Sequence, residues 1–439
     1  MYRMPASIFR RAASRVCDPR PRTPDTPEPL SLKRCRKISC SCREVCWEVL
    51  GGRTAGAAAR RMAGEAVRRA LRGGGQPCPV SARGVALPPA CQRRPPSPGL
   101  RASAHVLTPA GPRGEADLQA GVPVLFVQPH SRAGGGGGGA GRMPAVVFMH
   151  GTGASAADLW PWMTAVADRG VCCLAVDARY HGERAGGSSR EAYEDALVAA
   201  WQGSGERPFL LDTVDDLLSL VLGWLEEQPG VDGARIGLTG ISLGGMMAVL
   251  AAAADERIAA VAPLIGTQGF GWAVENRSYM ARVASIPRVF AEAAQSMNGD
   301  KAAVTPEVVA AVWDRLLPGM LESYDSHDCL PSIAPRALCI VNGALDPRCP
   351  MEGLSGALRS TRDQYAALGC EEQFDCWVEE GVAHECTRRM QAVATAWLLH
   401  SLDVEVDPNF GAGGAGGARF LSRSFVEQVE QDVLARRPL

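Results

Sequence analysis

Residues 235–250 read RIGLTGISLGGMMAVL: a short apolar run, a serine set between glycines, then a stretch rich in alanine and methionine. No other feature narrows the possible fold as much. The first part has the length of a buried strand, and the last is a strong helix former. Gly240 and Gly244 lack side chains, so strand and helix can approach closely around a sharp turn. Such a turn forces Ser242 into a strained conformation and exposes its hydroxyl at the carboxyl edge of a sheet. The helix that follows aims its N-terminus at the same point, which favours developing negative charge. The pentapeptide alone is weak: with 49 glycines in 439 residues, G-x-S-x-G arises by chance roughly 0.3 times in such a chain. Its context carries the weight.

That context is an alternation of strand and helix signals. VPVLFVQ (122–128), MPAVVFMH (143–150) and VCCLAVDA (171–178) read as strands, continuously apolar where a strand is covered on both faces. SAADLWPWMTAVADRG (155–170) has helical spacing between the second and third. In PFLLDTVDDLLSLVLGWLEEQPG (208–230), Leu210, Val214, Leu217, Val221 and Leu225 share one helix face, and Pro229-Gly230 stops it. RIAAVAPLIG (257–266), PRALCIVNG (335–343) and EQFDCWVEE (372–380) are further strands, with helices expected near 352–368 and over 387–402. This order predicts an α/β protein with a mostly parallel, doubly wound sheet. Residues 267–330 break the rhythm with helical patterns alone, as a cap inserted over a site would.

A serine hydroxyl is a poor nucleophile until a base takes its proton. In this topology the partners follow in the order Ser, acid, His. Three histidines lie beyond Ser242: His327, His384 and His400. His400 sits within the last helix and reads as structural, whereas His327 falls in the cap beside two aspartates and is a rival base. His384, in EEGVAHECT, opens the final helix just after the last strand, where a base can reach over the sheet edge. Asp346, in ALCIVNGALDPRCP, directly follows the preceding strand and would orient the imidazole. An oxyanion site needs two backbone donors: the N–H of Leu243 and one from the loop HGTG (150–153), expected at Thr152. DARYHGER (177–184) reads as a polar loop on the same edge, with His181 or Arg179 as substrate-lining candidates. His181-Gly-Glu183 resembles half of a zinc deaminase motif, but no P-C-x-x-C follows.

Composition divides the chain. Residues 1–101 carry 21 Lys/Arg against 6 Asp/Glu, so an acidic body must offset them to give the net charge of −1. This Pro/Gly/Arg-rich front (1–102) is expected to be disordered and to bury no core. Its opening MYRMPASIFRRAASRV has four arginines and no acid, which suits a chloroplast or mitochondrial presequence better than a secretory signal. No fold motif supports nucleic-acid binding, and no run of 18 apolar residues supports a membrane span. Cys172, Cys173, Cys339 and Cys376 sit in strand-like runs as buried hydrophobes. Cys35, Cys40, Cys42 and Cys46 lack the spacing of most zinc sites, and no metal or cofactor is expected. The glycine run 134–139 is a featureless loop, and 404–439 is a Gly-rich linker ending in an amphipathic helix. The globular domain is therefore expected over 103–403, with its cap at 267–330.

FMHGTG, DARYHGER, TGISLGGM and NGALDPRCP together resemble the α/β-hydrolase superfamily. With AAAADERIAAVAPLIGTQGFGWAVENRSYMARVASI they are similar to a plant and algal group near its prolyl-oligopeptidase-like and dienelactone-hydrolase or acetyl-esterase branches. The resemblance covers about residues 104–403. It implies Ser242, Asp346 and His384 as a triad, with the HGTG loop at the oxyanion site. It also implies a serine esterase of small or medium esters, with serine peptidase or amidase action as the alternative. The chain has no room for the β-propeller of true prolyl oligopeptidases. From another class, a hydrolase fold reused as a binding module is the remaining reading.

Overall fold

The computed structural model describes residues 54–70, 78–110, 121–130, 141–203, 209–299 and 303–404. The expected presequence, the cysteines at 35–46, the glycine run 134–139 and the C-terminal helix all lie outside the described residues.

Among the described residues, nine strands form one sheet: β1 (Val80–Val85), β2 (Leu100–Pro109), β3 (Val122–Pro129), β4 (Met143–Met149), β5 (Cys172–Val176), β6 (Val231–Ile241), β7 (Ile258–Leu264), β8 (Ala337–Gly343) and β9 (Phe374–Glu379). Their order is β1-β2-β3-β5-β4-β6-β7-β8-β9. The six strands from β5 to β9 run parallel, whereas β1, β2 and β3 join by antiparallel pairing. Strands β5 and β8 are buried along their whole length, because helices cover both faces. Two apolar clusters result. One contains the helices Leu243–Ala254 and Leu222–Glu226, and the other packs Trp160, Trp162 and Trp397 on the opposite face.

The expected alternation is present, and the long helix before β6 runs through a π-helical turn at Leu217–Val221. All five residues assigned to its apolar face are buried. Among the described residues, the elements between β7 and β8 are helices, including Phe270–Glu275, Met280–Val283, Pro287–Asn298, Pro306–Leu316 and Ser326–Ile333. Thr305 caps one of them, accepting from Val308 N–H at 3.4 Å.

The front of the chain corrects the sequence reading. The sheet begins at Val80, inside the segment expected to bury no core. Leu100 of β2 and Cys91 between the strands, both within that segment, are buried. Upstream, the helix Thr54–Ala70 packs on Leu243–Ala254: Val67 is fully buried, and Arg68 donates to the carbonyl of Ala254 at 2.6 Å. Averaged composition hid these elements. The helix docks through small residues, with Gly64 against the carbonyl of Ala253, rather than through a large apolar stripe.

Candidate active site

Strand β6 ends at Ile241 and the helix begins at Leu243, so Ser242 makes the whole turn. Its φ of 53° and ψ of −108° lie where non-glycine residues are strained. The neighbouring glycines explain how the turn closes. A β-carbon at Gly240 would collide with the backbone of Gly244, and one at Gly244 with the carbonyl of Met149 on the next strand. Ser242 N–H donates to the carbonyl of Leu264 at 2.8 Å, which ties the turn to β7.

Ser242 Oγ lies 2.9 Å from Nε2 of His384, and His384 Nδ1 lies 2.8 Å from Oδ2 of Asp346. These contacts join residues 142 and 38 positions apart along the chain. The Asp346 side chain is fully buried, while that of His384 is 11% exposed. Asp346 Oδ1 accepts from the N–H groups of Arg348 at 2.8 Å and Cys349 at 3.1 Å. One carboxylate oxygen is thus free of its own turn to face the imidazole.

Two devices fix the loop bearing His384. Thr387 Oγ donates to Glu379 at 2.6 Å and accepts from Met390 N–H at 3.0 Å, holding the end of β9 to the start of the last helix. The acid and base loops are also joined directly, by Leu345 N–H to the carbonyl of Val382 at 2.8 Å. His327 is exposed on the helix Ser326–Ile333, and His400 is exposed at the end of the last helix. Neither shares this arrangement.

The HGTG loop leaves β4 beside Ser242: a β-carbon at Gly151 would come within 3.8 Å of the Ser242 β-carbon. Leu243 opens the helix that follows Ser242, and Thr152 lies in the HGTG loop beside it. His150, which opens the loop, is buried and bonds backbone on both sides. Its Nδ1 lies 2.8 Å from the carbonyl of Gly151, and its Nε2 accepts from Ala178 N–H at 3.1 Å. This pairing requires the neutral Nδ1–H tautomer, and burial lowers its pKa accordingly. The signal was in view, since a histidine starting a glycine-rich loop at a strand end has backbone on both sides to bind.

In DARYHGER, the two residues expected to line the substrate are both engaged within the fold. Arg179 forms a bidentate pair with Asp216, at 3.0 and 2.8 Å, and lies 3.7 Å from Asp212. His181 is fully buried between the rings of His150 and Tyr193, and burial depresses its pKa to about 3. Asp177 stitches the two loops together, accepting from Ala156 N–H at 2.7 Å and Glu183 N–H at 3.0 Å. Arg184, also buried, reaches Asp216 at 2.9 Å.

Asp346, Cys349 and His384 hold ligand atoms within 4.8 Å of one another, the spacing of a metal site. Those atoms are already engaged, His384 with Asp346 and Cys349 Sγ with the carbonyl of Ile265 at 3.3 Å. The arrangement places the hydroxyl of Ser242 where a proton could pass to Nε2 of His384, with Asp346 against the other ring nitrogen.

Residues 146–396 match the model of the Alpha/beta hydrolase family. The chain belongs to that family. This α/β hydrolase is 32% identical over 126 residues to the thiohydrolase aneE of Aspergillus aculeatus, a match covering 28% of this chain and 34% of the relative. It thus spans about a third of that curated relative's length. Among solved structures, Methylesterase BT1017 superposes with a TM-score of 0.54 at 14% identity, over 82% of this chain and 67% of the other. Acetyl Xylan Esterase 1 from Thermoanaerobacterium sp. gives 0.49 at 15% identity, over 78% and 93%. At such identities the structural likeness bears on the fold alone. Among the described residues, no helix of this α/β hydrolase is long and apolar enough to cross a membrane.

Proposed function

We propose that this α/β hydrolase is a serine esterase working through an acyl-enzyme. Ser242 attacks the ester carbonyl while His384 takes its proton, and His384 then protonates the leaving alcohol. Asp346 holds the imidazole in the required tautomer and stabilises the imidazolium that forms. Water activated by the same histidine releases the acyl group. The N–H groups of Leu243 and Thr152 are assigned to the oxyanion, with the helix N-terminus adding to the field. The observation that carries this reading is the continuous Ser242–His384–Asp346 contact, at 2.9 and 2.8 Å, on a strained strand–helix turn.

The acyl group and leaving group are open to test. A carboxylic ester is the first choice, on the resemblance to acetyl esterases. The partial match to a thiohydrolase brings thioesters into the same mechanism, because a thiolate is an easier leaving group than an alkoxide. Amide cleavage is the alternative. Turnover of p-nitrophenyl esters, acyl thioesters and aminoacyl amides by the wild type and S242A decides among them. Ester turnover abolished by S242A supports the proposal; turnover retained in S242A refutes it. A fluorophosphonate that labels nothing would favour the binding-module reading.

A further inference from the structure

A guanidinium is buried behind the acid turn. Arg282, in the short helix Met280–Val283, is only 3% exposed, a position costly for a charge. Burial lowers its pKa, opposed by the nearby Cys349, Asp325 and Asp346. Its hydrogen bonds go to carbonyl groups: Nε donates to Arg348 at 2.7 Å and Nη1 to Gly269 at 3.2 Å. The guanidinium carbon lies 4.8 Å over the ring of Phe270, and Nη2 has no partner.

The carbonyl of Arg348 belongs to the same peptide unit as the N–H of Cys349. That N–H donates to Asp346 Oδ1 at 3.1 Å. One rigid peptide plane therefore connects Arg282 to the carboxylate, whose other oxygen faces His384. A cation on the carbonyl side polarises the peptide and strengthens its N–H as a donor. The far side of the turn is held separately, by Asn342 Nδ2 donating to the carbonyl of Cys349 at 2.8 Å.

We propose that Arg282 is a positioning residue: from the helical insertion it fixes the Arg348–Cys349 peptide, and through it the rotamer of Asp346 that aligns His384. This inference rests on the proposed serine esterase mechanism and extends it. It makes the insertion part of the catalytic apparatus as well as a cover. No contact between Arg282 and substrate is required.

The test uses the full chain with p-nitrophenyl acetate, comparing wild type, R282Q and R282K by kcat, KM and thermal unfolding. Asp346 set askew by a fraction of an ångström costs rate rather than affinity, so R282Q is expected to lower kcat by about 10- to 100-fold with KM within about twofold. R282K keeps the charge but cannot hold both carbonyls in the same fork, so a smaller loss of about 3- to 10-fold is expected. Wild-type kcat in folded R282Q overturns the proposal, as does a rise in KM at unchanged kcat. Should R282Q fail to fold, R282K decides: reduced kcat at the native melting temperature supports the role, and wild-type kcat removes it. Turnover in wild type that survives S242A would instead overturn the parent mechanism.

Discussion

Gly343 closes β8 directly beneath Val382, so tightly that a methyl group at Gly343 would strike the carbonyl oxygens of both Val382 and Ala383. The loop carrying His384 thus rests on bare backbone next to the turn carrying Asp346. G343A should overpack this junction, costing about 1–3 kcal/mol of stability. It should also lower kcat in the protein that remains folded. Urea unfolding and steady-state kinetics on the same preparation check both effects.

His150 should matter for rate without touching the proton relay. Its two ring nitrogens hold Gly151 on one side and Ala178 on the other. H150L leaves the buried Ala178 N–H unpaired, at a cost of about 1–3 kcal/mol. If the HGTG loop then swings away from Ser242, an oxyanion donor is lost, and kcat should fall by about 100-fold or more. A variant with normal kcat would show that the position of the HGTG loop does not depend on His150.

His181 gives stability a defined pH dependence. Its folded pKa is depressed from 6.5 to about 3, so the unfolded chain takes up the proton first as pH falls. The stability is fully present above about pH 6.5 and is lost progressively as pH drops towards 3. Its share of the loss by pH 5 is about 2 kcal/mol. Urea midpoints from pH 8 to pH 5 should fall more steeply for the wild type than for H181F. Equal slopes would show that the buried imidazole is not the titrating group.

Arg179 and Asp216 separate scaffold from substrate site. Because Asp216 pairs with both Arg179 and Arg184, D216A removes the carboxylate from the buried Arg184 and leaves Arg179 with Asp212 alone. A loss of about 3–5 kcal/mol is expected from unfolding curves. R179Q should be destabilised while its KM for p-nitrophenyl esters stays within about twofold, since the guanidinium is already spent on aspartates. A tenfold rise in KM would instead place Arg179 at the substrate.

The positions of Ser242, Asp346 and His384 were legible because each follows a strand end, and a parallel sheet brings its strand ends to one edge. Periodicity found those strands where both faces are buried. It failed at β1, where five of six residues are exposed, and at β2, whose buried residues do not alternate. The contacts of Arg179 and His181 were unreadable for another reason. Their environment depends on Asp216 and Tyr193, remote in sequence, and no local pattern announces such a pairing. Arg282 was hidden likewise, since its partner is a carbonyl 66 residues away.

The central claim is that His384 activates Ser242 as a covalent nucleophile. Its most direct test is the rate at which a fluorophosphonate labels the protein, with the adduct located by peptide mass spectrometry, in wild type, S242A and H384A. The account predicts one adduct, on Ser242, absent in S242A and formed at least about 100-fold more slowly in H384A. Labelling elsewhere, or at the wild-type rate without the imidazole, would contradict it.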